Sequence, residues 1–333
     1  MNDFGIDTLE TRLRFKVDTL NRRWSNASLL IHRSFDGHIV SMQQSGTHWL
    51  RNMLANVLVQ LYDLPRLQHI QDDSIIGHTK SPPIYKHIPQ IVHSHGCPHA
   101  LTMRLPGVHF PKYLVLVREL RASLISHYER FKGDYGNPEF AVFLRADLGT
   151  KKYYSDIWTR IRFMNEWGRM LEGHPEGTRL IRYEDLRKDT STKLREVCEF
   201  FGIRGVTADV IERAIADSRP EEMAARPNPS VPTTVVRTGD RKPVEAYFDP
   251  SNEEFFEKIV ARYLHYDFGY GYKLRTSKIN EVSSSGAGAR VFLTAANDKA
   301  IAQVATETEA ARQAARDGAG AGDRQPGLRP AVR

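Results

Sequence analysis

Five consecutive residues, Gln43-Gln44-Ser45-Gly46-Thr47, have the types and order needed to fold backbone around an anion. Gly46 lets the main chain come close, and the Ser45 and Thr47 hydroxyls are donors. Beyond them Leu50, Met53, Leu54, Val57, Leu58 and Leu61 recur at helical spacing. The turn therefore opens a helix whose first N–H groups have no intrahelical partner and sit at the positive end of the helix dipole. Such a terminus suits a phosphate. A simple helix cap by Ser45 or Thr47 fits the same residues. The stretch is not GxxxxGK[ST], so a nucleotide triphosphatase loop lacks its lysine here.

Other stretches carry compatible chemistry. In KYLVLVRELRASLIS an apolar strand ends at Arg118, and Ser126 stands eight residues later on a helix. A guanidinium fork with a hydroxyl nearby suits a phosphate monoester. RYEDLRKD, 182–189, reads as a strand-to-helix junction holding Tyr183. VVRTGDRKPVEAYF, 235–248, is a basic turn with Arg237 and Gly239. In IVHSHGCP, 91–98, His93 and His95 are imidazoles able to exchange protons near neutrality. With 13 histidines in the chain, type alone singles out none.

These segments need a frame. Apolar runs at 38–42, 88–93, 113–117 and 178–182 alternate with helical periodicity at 47–62, 122–132, 155–172, 192–201 and 252–265. The alternation predicts an α/β, three-layer fold with a central parallel sheet flanked by helices. Ligands in such folds sit beyond the C-terminal ends of the strands, where the candidate residues fall. Residues 1–35 form an N-terminal basic extension, 36–275 the domain, and 276–333 an Ala/Gly/Arg-rich tail too poor in aromatic and branched residues to repay ordering. Residues 220–245, rich in proline, read as a long loop. The basic residues in 12–23 offer a surface for peripheral membrane or partner contact, with a solvated helix face as the plainer reading.

A net charge of +7 over 333 residues favours anionic partners without choosing among them. Two cysteines, Cys97 and Cys198, make neither a disulfide framework nor a four-ligand zinc site. No stretch approaches the roughly 20 apolar residues of a membrane span, and the N-terminus is too polar for a secretory signal. The location expected by default is cytoplasmic.

The segments, taken together and in order, resemble the sulfotransferases that use 3′-phosphoadenosine-5′-phosphosulfate. SMQQSGTHWL is similar to their PKSGTTW loop: Ser45, Gly46, Thr47 and Trp49 match, Gln44 stands at the lysine, and His48 at a threonine. The resemblance spans roughly 38–272 and includes YEDL, FFGI for FLGI, and FLRADLGTKKYYSDIWTRIRFMNEW at 143–167. It implies that Ser45, Gly46, Thr47 and His48 hold the 5′-phosphate, that Trp49 stacks on adenine, and that Arg118, Ser126, Arg237 and Gly239 serve the 3′-phosphate. Tyr183 and Ser218 fall where the family contacts the nucleotide, and Pro220 replaces an aromatic partner of the adenine. His95, 23 residues before Arg118, falls at the general base, with His93 at a lysine.

The implied fold is P-loop-like, and the implied reaction is in-line sulfuryl transfer of EC 2.8.2 type to a hydroxyl or amine of a small-molecule, carbohydrate or lipid acceptor. Neither a metal nor nucleic acid is expected. Phe131, Tyr135, Tyr153 and Tyr154 are candidates to line the acceptor pocket. Gln44, a neutral amide at the lysine position, is the catalytic residue in question; Lys80 or Arg51 could supply the missing charge. Two alternatives stay open: a nucleotide-binding relic with little catalysis, and a P-loop kinase.

Overall fold

The computed structural model describes residues 8–25, 35–98, 111–146, 148, 152–229 and 243–274. The chain divides into two compact units, Met1–Val282 and Ser283–Arg333, and every described residue belongs to the first. The tail, Arg237 and Gly239 lie outside the described residues.

Five strands form one all-parallel sheet: β1 (Gly37–Ser41), β2 (Gly77–His78), β3 (Ile91–Ser94), β4 (Lys112–Val117) and β5 (Thr178–Arg182), in the order β2-β3-β1-β4-β5. Gly37 pairs with Ile91 on one side and Lys112 on the other, so β3, β1 and β4 end nearly level. Strand β1 is buried throughout, as expected of a parallel strand covered on both faces.

The alternation of KYLVLV builds the two outer layers. Tyr113, Val115 and Val117 join Val40 in one core with helices α1 (Leu9–Ser25), α3 (Leu120–Phe131), α4 (Phe140–Leu144), α5 (Ile157–Gly173) and α10 (Pro250–Tyr263). Leu114 and Leu116 join Ile39 in the other, against α2 (Thr47–Tyr62), α6 (Tyr183–Lys188), α7 (Thr190–Phe201) and α8 (Ala208–Ala216). The period-two pattern of the strand thus divides the molecule into helix, sheet and helix layers.

Several elements depart from the sequence reading. Residues 220–224 form a short helix, α9, with Pro220 in its first turn, where a missing N–H costs nothing. Helix α8 was not anticipated, although Val210, Ile211, Ala214 and Ile215 have helical spacing. Strand β3 begins at Ile91 rather than 88, and β2, at two residues, is too short to show a period. A one-turn 3-10 helix occupies Val244–Ala246. The N-terminal segment does more than present a solvated face. Phe15 and Thr19 of α1 are buried, and Phe15 packs edge-on against Tyr263 at 5.3 Å.

Candidate active site

The site collects where three strands end. β1 runs into the turn at 42–46, β4 ends beside Arg118, and β3 continues into His95. The chain passes from β1 to β2 and β3 on one side, and only then to β4 on the other. The C-terminal end of β1 is therefore the switch point where α/β sheets open a crevice.

The turn adopts left-handed backbone at Gln44 (φ 62°) and Gly46 (φ 88°). Gly46 is required twice over, since a Cβ there would also lie 2.6 Å from the Tyr183 ring. Gly46 is the N-cap of α2 and no side chain caps that terminus, so the simple capping alternative does not hold. The Ser45 hydroxyl is fully buried without a protein partner, whereas Thr47 Oγ1 donates to Ser41 Oγ at 2.8 Å. Thr47 therefore braces the turn through its hydroxyl.

Arg118 spans from β4 to the turn. One guanidinium nitrogen donates to the Gln44 carbonyl at 3.0 Å, and its plane lies 4.7 Å from the Tyr183 ring centroid. Trp49 meets Tyr183 edge-on at 6.3 Å. Ser126 Oγ reaches the Gln44 side-chain oxygen at 3.5 Å. Gln44, Gly46, Arg118, Ser126, Tyr183 and Trp49 thus form one cluster. A cleft of about 390 Å³ beside it is lined by Arg118, Ala122, Tyr183, Glu184, Arg187 and Lys188. Arg187 and Lys188, not singled out in the sequence, add two cations to the side where Arg118 stands. Ser218 is fully buried, accepting from Asn56 at 2.9 Å and donating to Asn52 at 3.1 Å, and so fixes α2.

A buried arginine backs the turn. Arg160 of α5 donates to Ser123 Oγ at 2.9 Å, and Ser123 Oγ donates to the Gln43 carbonyl at 2.8 Å. Burial pushes the Arg160 pKa down to about 9, against the opposing charge of Asp156, so the cation persists at neutral pH. The helical spacing of 155–172 hid this role, because an arginine inside such a pattern reads as a solvent-facing residue.

On the opposite side, His95 Nδ1 lies 2.8 Å from the Ser41 carbonyl and 3.2 Å from Ser41 Oγ. A carbonyl only accepts, so Nδ1 carries the proton and Nε2 is the acceptor in the neutral ring. Part of the residue is open to solvent. Crowding of the ring by protein, aided by His78 and Arg51, still holds its pKa below 6.5 despite the Ser41 bond. The segment is pinned just beyond, where Trp167 Nε1 donates to the Gly96 carbonyl at 3.0 Å.

Neighbouring imidazoles are neutral too. Burial, then Arg51 and Arg130, bring His48 down to about 3. Burial also brings His93 to about 4, outweighing Asp73 at 3.6 Å. Arg51 is tied to Asp73 and donates to the Ile76 carbonyl at 2.8 Å. Lys80 is exposed beyond β2. Tyr153 is buried against Tyr135 and Phe143, while Tyr154 is 70% exposed. Among the described residues no group of three or more His, Cys, Asp or Glu is placed to hold a metal. No described helix is long and apolar enough to cross a membrane.

Three features fit a nucleotide phosphate: an uncapped helix terminus, an orphaned buried hydroxyl at Ser45, and a cationic cleft. Solved structures with a related course include a mouse sulfotransferase complexed with PAP, at 18% identity over 72% of this chain and 90% of that one, TM-score 0.49. Retinol dehydratase in complex with androsterone and inactive cofactor PAP follows at 14% identity over 77% and 88%, TM-score 0.46. A sulfotransferase from Alicyclobacillus acidocaldarius has 14% identity over 59% and 97%, TM-score 0.33. No curated protein sequence matches. The sulfotransferase domain family model matches residues 36–268, nearly the whole span of the fold described above, and the chain belongs to that family.

Proposed function

We propose that this sulfotransferase acts on a hydroxyl of a small-molecule acceptor, with His95 as general base. The family reaction transfers a sulfuryl group from 3′-phosphoadenosine-5′-phosphosulfate, leaving adenosine 3′,5′-bisphosphate. The supporting observation is the 2.8 Å contact of His95 Nδ1 with the Ser41 carbonyl, which leaves Nε2 to receive a proton. As the acceptor oxygen bonds to sulfur, its proton passes to Nε2. The sulfur–oxygen bond to phosphate breaks and the electron pair stays with the phosphate oxygen. In our assignment Ser45 Oγ and the first-turn N–H groups of α2 meet that charge. Arg118, Ser126 and Tyr183 hold the nucleotide end, with Arg187 and Lys188 adding positive potential. Trp49 supplies the adenine stack, His48 belongs to the 5′-phosphate turn, and Ser218 acts through α2. Arg237 and Gly239 complete the 3′-phosphate site in this reading.

The catalytic domain is assigned to 36–275, with 1–35 as a basic N-terminal extension and 276–333 as a separate tail. A cytoplasmic location is supported by Cys97 and Cys198, neither of which is in a disulfide. One observation favours the binding-only alternative: Gln44 is neutral and Arg51 is already paired. Incubation with labelled sulfuryl donor and a panel of phenols, aliphatic alcohols, sugars and amines separates the readings. Label on a hydroxyl is the expected result. Label confined to amines overturns the acceptor class, and tight bisphosphate binding without turnover supports the binding-only protein.

A further inference from the structure

Nine large apolar side chains are exposed among the described residues, and five of them, Leu9, Leu13, Val17, Leu20 and Trp24, lie on α1. At about 100° per residue they fall within roughly 80° of arc, a single stripe along a helix of roughly 25 Å. Their exposures run from 79% at Leu9 to 47% at Leu20, whereas Ile84, Val142, Tyr154 and Val244 are scattered elsewhere. Scattered exposed apolar residues are ordinary, but a contiguous stripe calls for a partner.

The stripe cannot turn inward. On the other face of α1, Phe15 packs against Trp158 and Tyr263, Asp18 pairs with Arg162, and Arg23 pairs with Glu166. These contacts fix the rotation of the helix on α5. The charge pattern then selects the occupant. Helix α1 carries five basic residues (Arg12, Arg14, Lys16, Arg22, Arg23) against two acidic ones (Glu10, Asp18), an excess of three. Glu10 pairs with Arg14, Asp18 with Arg162 and Arg23 with Glu166, and the excess of three survives these pairs. Two copies meeting through α1 would bring these positive excesses together. An anionic bilayer instead accepts the apolar stripe at the acyl boundary and the basic flanks among its headgroups, with Trp24 as an interfacial anchor.

We propose that α1 is a bilayer-docking helix that seats the protein on an anionic membrane surface through Leu9, Leu13, Val17, Leu20 and Trp24.

The test is co-sedimentation of the full chain with vesicles of equal parts phosphatidylserine and phosphatidylcholine, or of phosphatidylcholine alone, in low and high salt. Binding to the anionic vesicles, weakened several-fold by salt, is expected. The exposed-site variant Leu13→Glu/Leu20→Glu should lose at least ten-fold of that binding while keeping the wild-type melting temperature. Lys16→Glu should lose less. Failure to bind anionic vesicles overturns the proposal. So does binding unaffected by the double variant, because another basic surface is then responsible. A concentration-dependent dimer abolished by Leu13→Glu/Leu20→Glu, with no vesicle binding, assigns the stripe to a second copy instead.

Discussion

The two flanks of the β1 turn are built from opposite electrostatics. Toward β4 stand Arg118, Arg187 and Lys188, with Arg160 kept charged behind the turn through Ser123. Toward β3 stand His48, His93 and His95, all held neutral, with Arg51 already paired to Asp73. A polyanionic nucleotide needs fixed positive charge, which a rigid sheet end and a helix terminus supply. A proton transfer needs an uncharged acceptor, and crowding imidazoles with protein atoms and nearby cations provides one. In the proposed reading the same crevice separates binding from proton chemistry across a few residues, and each flank can be disturbed alone.

Removing the proposed base should have the largest effect. His95→Ala should lower kcat by about 10²–10⁴-fold, the usual range for general base catalysis. Affinity for adenosine 3′,5′-bisphosphate, measured by calorimetry, should stay within a few-fold of wild type. Joint collapse of both quantities would mean the flanks are not separable. Arg118→Ala tests the other flank. A lost charge-assisted hydrogen bond is worth about 1.5–3 kcal/mol, so bisphosphate affinity should drop by roughly 10–100-fold. Activity at saturating donor should suffer less.

Gly46→Ala strikes the hinge between the flanks. A side chain at φ 88° costs about 1–2 kcal/mol, and the new Cβ, 2.6 Å from Tyr183, pushes that ring out of its stack with Arg118. The melting temperature should fall by a few degrees and bisphosphate binding should weaken, while Gly136→Ala, at φ 77° but with nothing within 4 Å, should leave binding unchanged.

Acid should disturb the neutral flank first. Because the folded pKa of His95 lies below 6.5, the acid limb of kcat/KM should fall below that value rather than above it. His48, His93 and His127 have folded values of about 3, 4 and 2. The unfolded chain therefore binds more protons than the native one as pH drops below about 6.5, and stability must fall. A melting temperature that declines between pH about 6.5 and 5, where most carboxylates remain ionised, is the expected sign. A flat profile would show that these rings titrate freely.

Much of the cationic flank was legible in sequence, since a turn, a glycine and a strand-end arginine each announce a local geometry. Strand β4 gave both layers through its period-two alternation. The neutral flank was less legible because it depends on contacts between distant segments. Nothing local to His95 says that Ser41 fixes its tautomer, 54 positions away. Arg160 and Ser123 were hidden for the same reason, their partners being set by how α5 crosses α3. Helix α9 was lost to a rule applied without position: proline in a first turn starts a helix, whereas within one it breaks it.

The smallest change expected is also the one that decides what Gln44 does. Its carbonyl accepts from Arg118, its side chain meets Ser126, and its φ of 62° already strains a residue that is not glycine. A lysine can keep that backbone and both flanking elements, because the contact it gives up is a weak one at 3.5 Å. It would place an ammonium near the phosphate oxygen where negative charge develops. Arg51 is committed to Asp73, and the neighbouring histidines are neutral, so little positive charge opposes the newcomer from the β3 side. Gln44→Lys should therefore raise kcat by about 2–10-fold, a modest electrostatic gain, with the KM for donor changing less. A fall in kcat with unchanged bisphosphate affinity would mean that a cation already occupies that place. The double variant with Lys80→Ala or Arg130→Ala would then identify it, since losing the resident charge should restore the activity that the added lysine removed.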